Sequence, residues 1–168
     1  PNYFAAHSAV ITSFLLENKL NDAANQLDAL KKVAPNHPQT IYFDTQINYQ
    51  RKEFKAASES AQQLLKISPN NPMALQLAGA IEYQLNSYLQ AEAYLAKALQ
   101  IAPELMPARR LLIASYLRAG KPDKALDALQ PVLSYIDKDP ELLALAGEAY
   151  LQNGEPNKAA EYLAKASK

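Results

Sequence analysis

Few side chains in this 168-residue sequence are of the types that carry catalysis or bind metal ions. Cysteine is absent, which excludes disulfides, thiolate metal sites and cysteine nucleophiles. His7 and His37 are the two histidines, and we interpret His7 as a packing residue and His37 as a solvated turn residue. The sequence contains no glycine-rich phosphate loop, no G-x-S-x-G elbow and no H-E-x-x-H motif. It therefore predicts a protein that is not an enzyme, with no cofactor and no metal site.

The charged residues are balanced in number and scattered along the chain. Lys and Arg together number 17, as do Asp and Glu, so the formal net charge is zero and no broad positive field favours nucleic acid. Arg109 and Arg110 form a short basic pair, for which salt bridges to a neighbouring helix are the simplest role. No apolar run approaches the roughly 18 residues that a membrane-spanning helix needs. Four glutamates are spread through the C-terminal segment without an acid-base or metal-binding arrangement: Glu141, Glu148, Glu155 and Glu161.

A period of 34 residues organises the chain. Proline recurs at this spacing as Pro35, Pro69 and Pro103, and Asp137 takes the fourth place. The period divides the chain into units 4–37, 38–71, 72–105, 106–139 and 140–168, the last of them cut short. Alanine recurs at this spacing in all five units, as Ala23, Ala57, Ala91, Ala125 and Ala159.

Each unit contains two stretches in which apolar residues follow helical spacing. In the third unit Leu75, Ala78 and Tyr83 mark the first stretch, and Leu95 and Leu99 belong to the second. No stretch of the chain alternates with the period of two that is typical of a strand. The sequence therefore predicts an all-α fold of helix pairs.

Two local features of these helices carry predictions of their own. Ser87, with Gln90 three residues later, predicts a capping box at the start of a second helix. Pro131 falls inside the predicted second helix of the fourth unit, where it removes a hydrogen bond to the carbonyl of Asp127. We therefore expect that helix to bend and the stacking between the fourth and fifth units to change.

A helix-turn-helix unit of this length, with this alanine column, resembles the tetratricopeptide repeat. Gly79 and Gly147 match the small residue that the family has near the middle of its first helix, whereas Ile11, Thr45 and Ile113 depart from it. The resemblance implies a right-handed α-solenoid of about five stacked units, whose first helices line a concave side. The alanine column has a physical reason, because the two helices of a unit cross closely where only a methyl group fits.

A narrower resemblance concerns the amino-acid sequences of the later repeats. Residues 75–103, 108–133 and 139–166 resemble the repeats of the bacterial tetratricopeptide-repeat lipoproteins associated with PEP-CTERM/exosortase sorting and exopolysaccharide production. That resemblance implies a periplasmic or cell-envelope location and a role in protein sorting or exopolysaccharide assembly. The chain has no cysteine to which a lipid could be attached.

The geometry of the family assigns certain positions of each first helix to the concave side. In the three middle units these positions are rich in aromatic and amide side chains, with positive charge at one end. Such side chains suit an extended peptide backbone or a sugar chain. Each tyrosine taken alone is also explained by packing and each glutamine by solvation, and the recurrence of both types favours a ligand. The predicted groove residues are Tyr42, Gln46, Tyr49, Gln50, Gln76, Tyr83, Gln84, Arg110 and Arg118.

The sequence thus predicts a non-enzymatic scaffold that binds a protein or peptide segment in its concave groove. Direct binding of polysaccharide and a purely structural spacer are the alternatives. The last helix carries an outward stripe of Ala159, Leu163 and Ala166, through which we expect self-association. We also expect the chain to be a fragment of a longer repeat protein, with no nucleic-acid partner and no membrane span.

Overall fold

Ten α-helices follow one another in residues 2–167, the part of the chain that the computed structural model describes. These residues contain no strand, so the predicted all-α class is confirmed. The helices are α1 (Asn2–Leu16), α2 (Leu20–Val33), α3 (Pro38–Gln50), α4 (Phe54–Ile67), α5 (Pro72–Gln84), α6 (Tyr88–Ile101), α7 (Met106–Arg118), α8 (Pro122–Leu129), α9 (Pro140–Gln152) and α10 (Pro156–Ala166).

The helices pack as antiparallel pairs that stack one on the next. Helices α1, α3, α5 and α9 each pack most closely against the even-numbered helix that follows, whereas α7 contacts α6 more extensively than the short α8. Each of α2, α4, α6 and α8 also contacts the first helix of the next pair. Successive odd-numbered helices contact one another as well, along the whole series from α1 to α9. The odd-numbered helices therefore lie on the inner, concave side of the array.

The turn inside each pair is built by one residue in the left-handed region of backbone conformation. Glycine and asparagine accept this conformation most readily, and they occupy four of the five positions. Lys52 is the exception, with φ of 63°. Each of the five is the second residue of the turn that follows an odd-numbered helix: Asn18, Lys52, Asn86, Gly120 and Gly154.

The crossing point within each pair is tightly packed. All five alanines of the 34-residue column are buried, which confirms the close crossing that their recurrence predicts. Ala159 is among them, so the prediction that it belongs to an open outward stripe is wrong. At Gly79 an added Cβ would lie 2.5 Å from Cγ of Leu95, and at Gly147 it would lie 2.5 Å from Cγ of Leu163. These two pairs therefore owe their close approach to the absence of a side chain.

Helix α8 is shorter than the other even-numbered helices and shows the effect of Pro131. We expected a bend at this proline, but the helix ends at Leu129 and is followed by two short 3-10 turns. Arg109 lies beside this end, where its guanidinium donates hydrogen bonds to the carbonyl of Ala128 at 3.1 Å and to the carbonyl of Pro103 at 2.9 Å. Arg109 thus supplies donors that the interrupted backbone lacks, and its partners are carbonyl groups rather than the acidic side chain we expected.

Side-chain caps stand before three odd-numbered helices. Asn71 and Asp139 accept hydrogen bonds from the first backbone N–H groups of α5 and α9. His37 does the same for α3 through Nδ1 at 3.2 Å, so it has a capping role beyond that of a solvated turn residue. The capping box predicted at Ser87 is wrong, because the Ser87 side chain makes no capping hydrogen bond and its backbone is outside the extended region that a cap needs.

Ion pairs link neighbouring units. Glu92 of α6 accepts hydrogen bonds from Lys121 at 2.8 Å and from Lys124 at 3.0 Å, both at the start of the next unit's second helix. The Lys121 hydrogen bond holds the pKa of Glu92 below its ordinary value, against the opposing effect of burial. Between the first and second units, Lys31 pairs with Asp44 at 2.6 Å. Partly buried pairs of this kind help to fix how one unit sits on the next.

Candidate functional site

A large opening on the concave side lies between α5, α7 and α9. It is a cavity of about 420 Å³, and we call it the α7 pocket. Tyr83 and Arg110, both predicted groove residues, line it together. Its remaining lining consists of four apolar residues and one glutamate: Pro107, Leu111, Ala114, Leu145 and Glu141.

Three other predicted groove residues come together one unit earlier. Tyr49, Gln50 and Gln84 line a cavity of about 360 Å³ at the carboxyl ends of α3 and α5, beside Lys52 and Phe54. The ring of Tyr49 packs against that of Phe54, with 5.8 Å between centroids. Tyr49 thus combines a packing contact with a place on an open surface.

The amino-terminal ends of α3 and α5 form a third cavity, of about 300 Å³. Tyr42 lines it together with Gln39 and Met73. Burial raises the pKa of the Tyr42 phenol, so this hydroxyl stays protonated at neutral pH and is able to donate a hydrogen bond.

The remaining glutamines of the predicted groove are partly buried. Gln46 and Gln76 lie on α3 and α5. The Gln76 side-chain oxygen is buried and accepts no hydrogen bond from the chain. Neither glutamine joins the residues that line the α7 pocket. The nine predicted residues thus spread over several openings rather than one.

Arg118 and Tyr83 form one corner of the groove. A hydrogen bond with Tyr83 raises the pKa of Arg118, and the nearby charge of Glu148 acts in the same direction. The Tyr83 ring also packs edge-on against Tyr88, with 5.7 Å between centroids. As with Tyr49, packing and an accessible position occur in the same residue.

Arg110 forms salt bridges to acidic side chains, the simplest role that the sequence gives to this basic pair. Its Nη2 lies 2.5 Å from Oδ2 of Asp139, and its Nε lies 3.2 Å from Oε2 of Glu141. Burial acts to raise the pKa of Asp139, but the hydrogen bond from Arg110 and that from the Leu142 backbone N–H outweigh it and lower the pKa overall. Asp139 is therefore ionised at neutral pH, and the Arg110 guanidinium faces its carboxylate as well as that of Glu141. The positive charge expected at this end of the groove is neutralised.

Sequence reasoning missed the acidic side of the α7 pocket. Glu141 occupies the same position in its unit as Gln39, Met73 and Pro107 in theirs, and the predicted groove residues include no member of this column. Asp139 precedes α9 as its cap, and no concave column includes it. Its contact with Arg110 depends on how the fourth and fifth units stack, which residue spacing alone does not specify.

The described residues form no cluster of the kind that binds metal ions. Within residues 2–167 no three His, Cys, Asp or Glu residues lie close enough together to hold a metal ion. His7 is half-buried, with Nδ1 2.5 Å from Nε2 of Gln26, in keeping with a packing role. No helix of this part of the chain is both long and apolar enough to span a bilayer.

The stacked helix pairs, the alanine crossing and the concave groove define a helical-repeat binding domain. Sequence profiles described as tetratricopeptide repeat match residues 46–105, 82–146 and 116–168. The chain belongs to the tetratricopeptide repeat family. No curated protein matches the chain.

Several solved structures share the fold at low sequence identity. MamA residues 41 to the end from Desulfovibrio magneticus RS-1 has a TM-score of 0.86 at 19% identity, covering 99% of this chain and 94% of that one. PilF of Pseudomonas aeruginosa has a TM-score of 0.86 at 18% identity, covering 99% and 76%. YrrB, described as a TPR protein with an unusual peptide-binding site, has a TM-score of 0.79 at 19% identity, covering 95% and 82%. At these identities the likeness establishes the fold alone.

Proposed function

We propose that this chain is a non-enzymatic scaffold that binds an extended segment of a partner protein along its concave groove. One observation carries the proposal: residues that recur at the same position of successive repeats also line open cavities. Tyr49 and Tyr83 occupy equivalent positions in successive units, and each lines a cavity on the concave side. Aromatic rings with a polar tip and primary amides bind peptide backbones well, because they combine contact area with hydrogen bonding.

The general behaviour of the family supports the same function. Tetratricopeptide repeats act as protein-interaction scaffolds, and one structural neighbour, YrrB, is described by its peptide-binding site. The scale also fits, because an extended peptide of about ten residues spans roughly 33 Å, enough to cross several stacked helices.

A selection from a random peptide display library on the immobilised chain tests the proposal. We expect enriched peptides whose binding weakens about tenfold or more when Tyr49 and Tyr83 are both changed to Ala, since two aromatic contacts are lost. Fluorescence anisotropy with labelled peptides measures the affinity. Tyr135→Ala is the matched control, because Tyr135 is an exposed tyrosine in the linker between α8 and α9. Enriched peptides that bind the double variant as tightly as the unmodified chain would contradict groove binding.

Direct binding of polysaccharide is the second candidate. It is favoured by the absence of charged side chains among the predicted groove residues of α3 and α5, where tyrosine and glutamine suit the flat face and hydroxyl groups of a sugar. Titration of the chain with neutral oligosaccharides distinguishes the two candidates. Oligosaccharide binding that Tyr49→Ala abolishes, together with no enriched peptide, would favour the sugar ligand. A structural spacer would bind neither probe.

The resemblance of residues 75–103, 108–133 and 139–166 to envelope lipoproteins supports a finer proposal. We infer a role in protein sorting or exopolysaccharide assembly at the bacterial envelope, with the groove holding one component of that machinery. Fractionation of bacterial cells that produce the protein from its own gene tests the location. Recovery in the cytosolic fraction would contradict it.

Self-association through α10 is a further part of the proposal. Leu163 is 43% exposed on this helix, beside the partly exposed Ala166. Sedimentation of the chain across a concentration series tests it, with Leu163→Gln expected to reduce association. A monomer at every concentration would contradict it.

A further inference from the structure

The α7 pocket combines an apolar interior with an acidic rim. Leu111 and Leu145 line it from α7 and α9, and the ring of Tyr83 lines it from α5. Glu141 stands at the first turn of α9 with 68% of its side chain exposed. A long side chain with an apolar stem and a polar end would therefore meet suitable surfaces along its whole length.

The electrostatics of the rim are set by Arg110 and its two partners. Asp139 holds the guanidinium at 2.5 Å with only 19% of its own side chain exposed, and its other oxygen caps α9 by accepting the backbone N–H of Leu142 at 3.1 Å. Glu141 contacts the same guanidinium at 3.2 Å from the solvent side. One cation and two anions leave an excess of one negative charge. The exposed carboxylate of Glu141 keeps acceptor positions free for a ligand.

The other charges of the groove do not cancel this excess. Arg118 lies eight residues beyond Arg110 on α7, which places it about 12 Å further along the helix axis. There it is near Glu148, whose charge it offsets. The predicted groove residues of α3 and α5 carry no formal charge at neutral pH.

The chain itself shows how it accommodates a lysine between a tyrosine ring and a glutamate. Lys124 lies 5.5 Å from the centre of the Tyr116 ring and 3.0 Å from a carboxylate oxygen of Glu92. A second lysine in the last unit, paired with a neighbouring glutamate, lies 5.1 Å from the Tyr150 ring. In the α7 pocket a tyrosine and a glutamate are again present, with an open cavity in place of the lysine.

We propose that the α7 pocket receives a lysine or arginine side chain of the bound partner segment, and that Glu141 selects for it. The stem of this side chain packs on Leu111 and Leu145, its cationic head faces Tyr83, and Glu141 accepts its hydrogen bond. An acidic side chain is repelled by the rim, and a purely apolar one desolvates the Glu141 carboxylate without replacing its lost water. This inference rests on the proposed groove function and specifies the chemistry of its ligand.

The test uses peptides selected from a random display library on the unmodified chain. We expect a lysine or arginine at one fixed position of the enriched peptides. Replacing that residue by norleucine should weaken binding about threefold to fivefold, the size expected of a partly exposed ion pair. The same replacement should have no effect on binding to Glu141→Gln. Glu104→Gln, which changes an exposed glutamate in the turn before α7, is the matched control and should retain the full effect.

Replacing Arg110 should change the affinity for these peptides in the opposite direction. Arg110→Gln leaves both carboxylates uncompensated, so peptides with lysine or arginine should bind it more tightly than they bind the unmodified chain. Circular dichroism verifies that each variant is folded. Peptides that need Tyr49 and Tyr83 but show no preference for a cationic residue would overturn this inference and leave the groove function intact. If no peptide is enriched, the proposed peptide function fails and the inference fails with it.

Discussion

Adding one methyl group at Gly79 tests how closely the two helices of a repeat cross. The Cβ of Gly79→Ala would lie 2.5 Å from Cγ of Leu95 and 2.7 Å from its Cδ2, distances that no packed structure tolerates without movement. Leu95 is fully buried, so it cannot turn towards solvent to relieve the contact. Overpacking of this kind costs about 1–3 kcal/mol, and alanine recovers about 1 kcal/mol through its better helix propensity. We therefore expect Gly79→Ala to lower the free energy of unfolding by about 1 kcal/mol.

Gly147 provides a matched control with the same local geometry. A Cβ added there would also lie 2.5 Å from a leucine Cγ, that of Leu163, and it would lie 3.3 Å from the carbonyl oxygen of Ala159, a mild contact by comparison. Leu163 is 43% exposed, so it is free to rotate towards solvent and relieve the contact. The helix-propensity gain then dominates, and Gly147→Ala should be neutral or slightly stabilising.

Urea denaturation followed by far-UV circular dichroism measures both variants. Amide hydrogen exchange of α6 and α10 complements it, because a repeat array does not have to unfold in one step. A difference of about 1–2 kcal/mol between the two variants is expected, with Gly79→Ala the less stable. Equal stabilities would refute the argument that burial of the facing leucine decides the cost.

Three further predictions concern the turns, the end of α8 and the ion pair at the cap of α9. Lys52→Gly should stabilise the chain by about 0.5–1 kcal/mol in urea denaturation, since Lys52 adopts a positive φ, and Gly120→Ala at the equivalent turn should destabilise it by a similar amount. Arg109→Met keeps an apolar stem but loses two hydrogen bonds to carbonyl groups, so a loss of about 2–3 kcal/mol is expected, and an unchanged denaturation midpoint would contradict the capping role. Burial acts to raise the pKa of Asp139, but the hydrogen bonds from Arg110 and the α9 backbone, together with the charge of Arg110, lower it overall. The ionised carboxylate therefore stabilises the fold above the ordinary pKa of 3.8, and this stability is lost as pH falls through the lower, folded-state pKa. Acid denaturation monitored by circular dichroism should show a shallower pH dependence below that value for Asp139→Asn than for the unmodified chain.

Much of the fold follows from residue spacing because each repeat is a local structure. The 34-residue alanine column predicts both the helix pairs and their crossing, and the buried alanines confirm it. The turns within a unit are equally local, because glycine or asparagine, which accept a left-handed backbone readily, occupies four of the five positions. These features depend on contacts within about one unit, so the sequence of that unit is enough to predict them.

The features that the sequence did not predict depend on contacts between different helices. At Pro131 the pattern predicted a bent helix, but Arg109 from the preceding helix takes up a carbonyl at its end and the helix stops. The salt bridge that was the simplest role of Arg110 is present, but its partner Asp139, the cap of α9, was not identified from the sequence. Such pairs depend on the stacking geometry, which amino-acid periodicity does not encode.

The central claim is that the concave groove, and not another face, binds the partner segment. Because the chain has no cysteine, a single one introduced at Gln84 on α5 or at Gln100 on α6 accepts an environment-sensitive fluorophore at a chosen site. Gln84 lines a cavity of the groove, and Gln100 is exposed on a helix of the outer layer. Addition of a library-selected peptide should change the emission of the label at position 84 and leave that at position 100 unchanged. A change at position 100 alone would contradict the account.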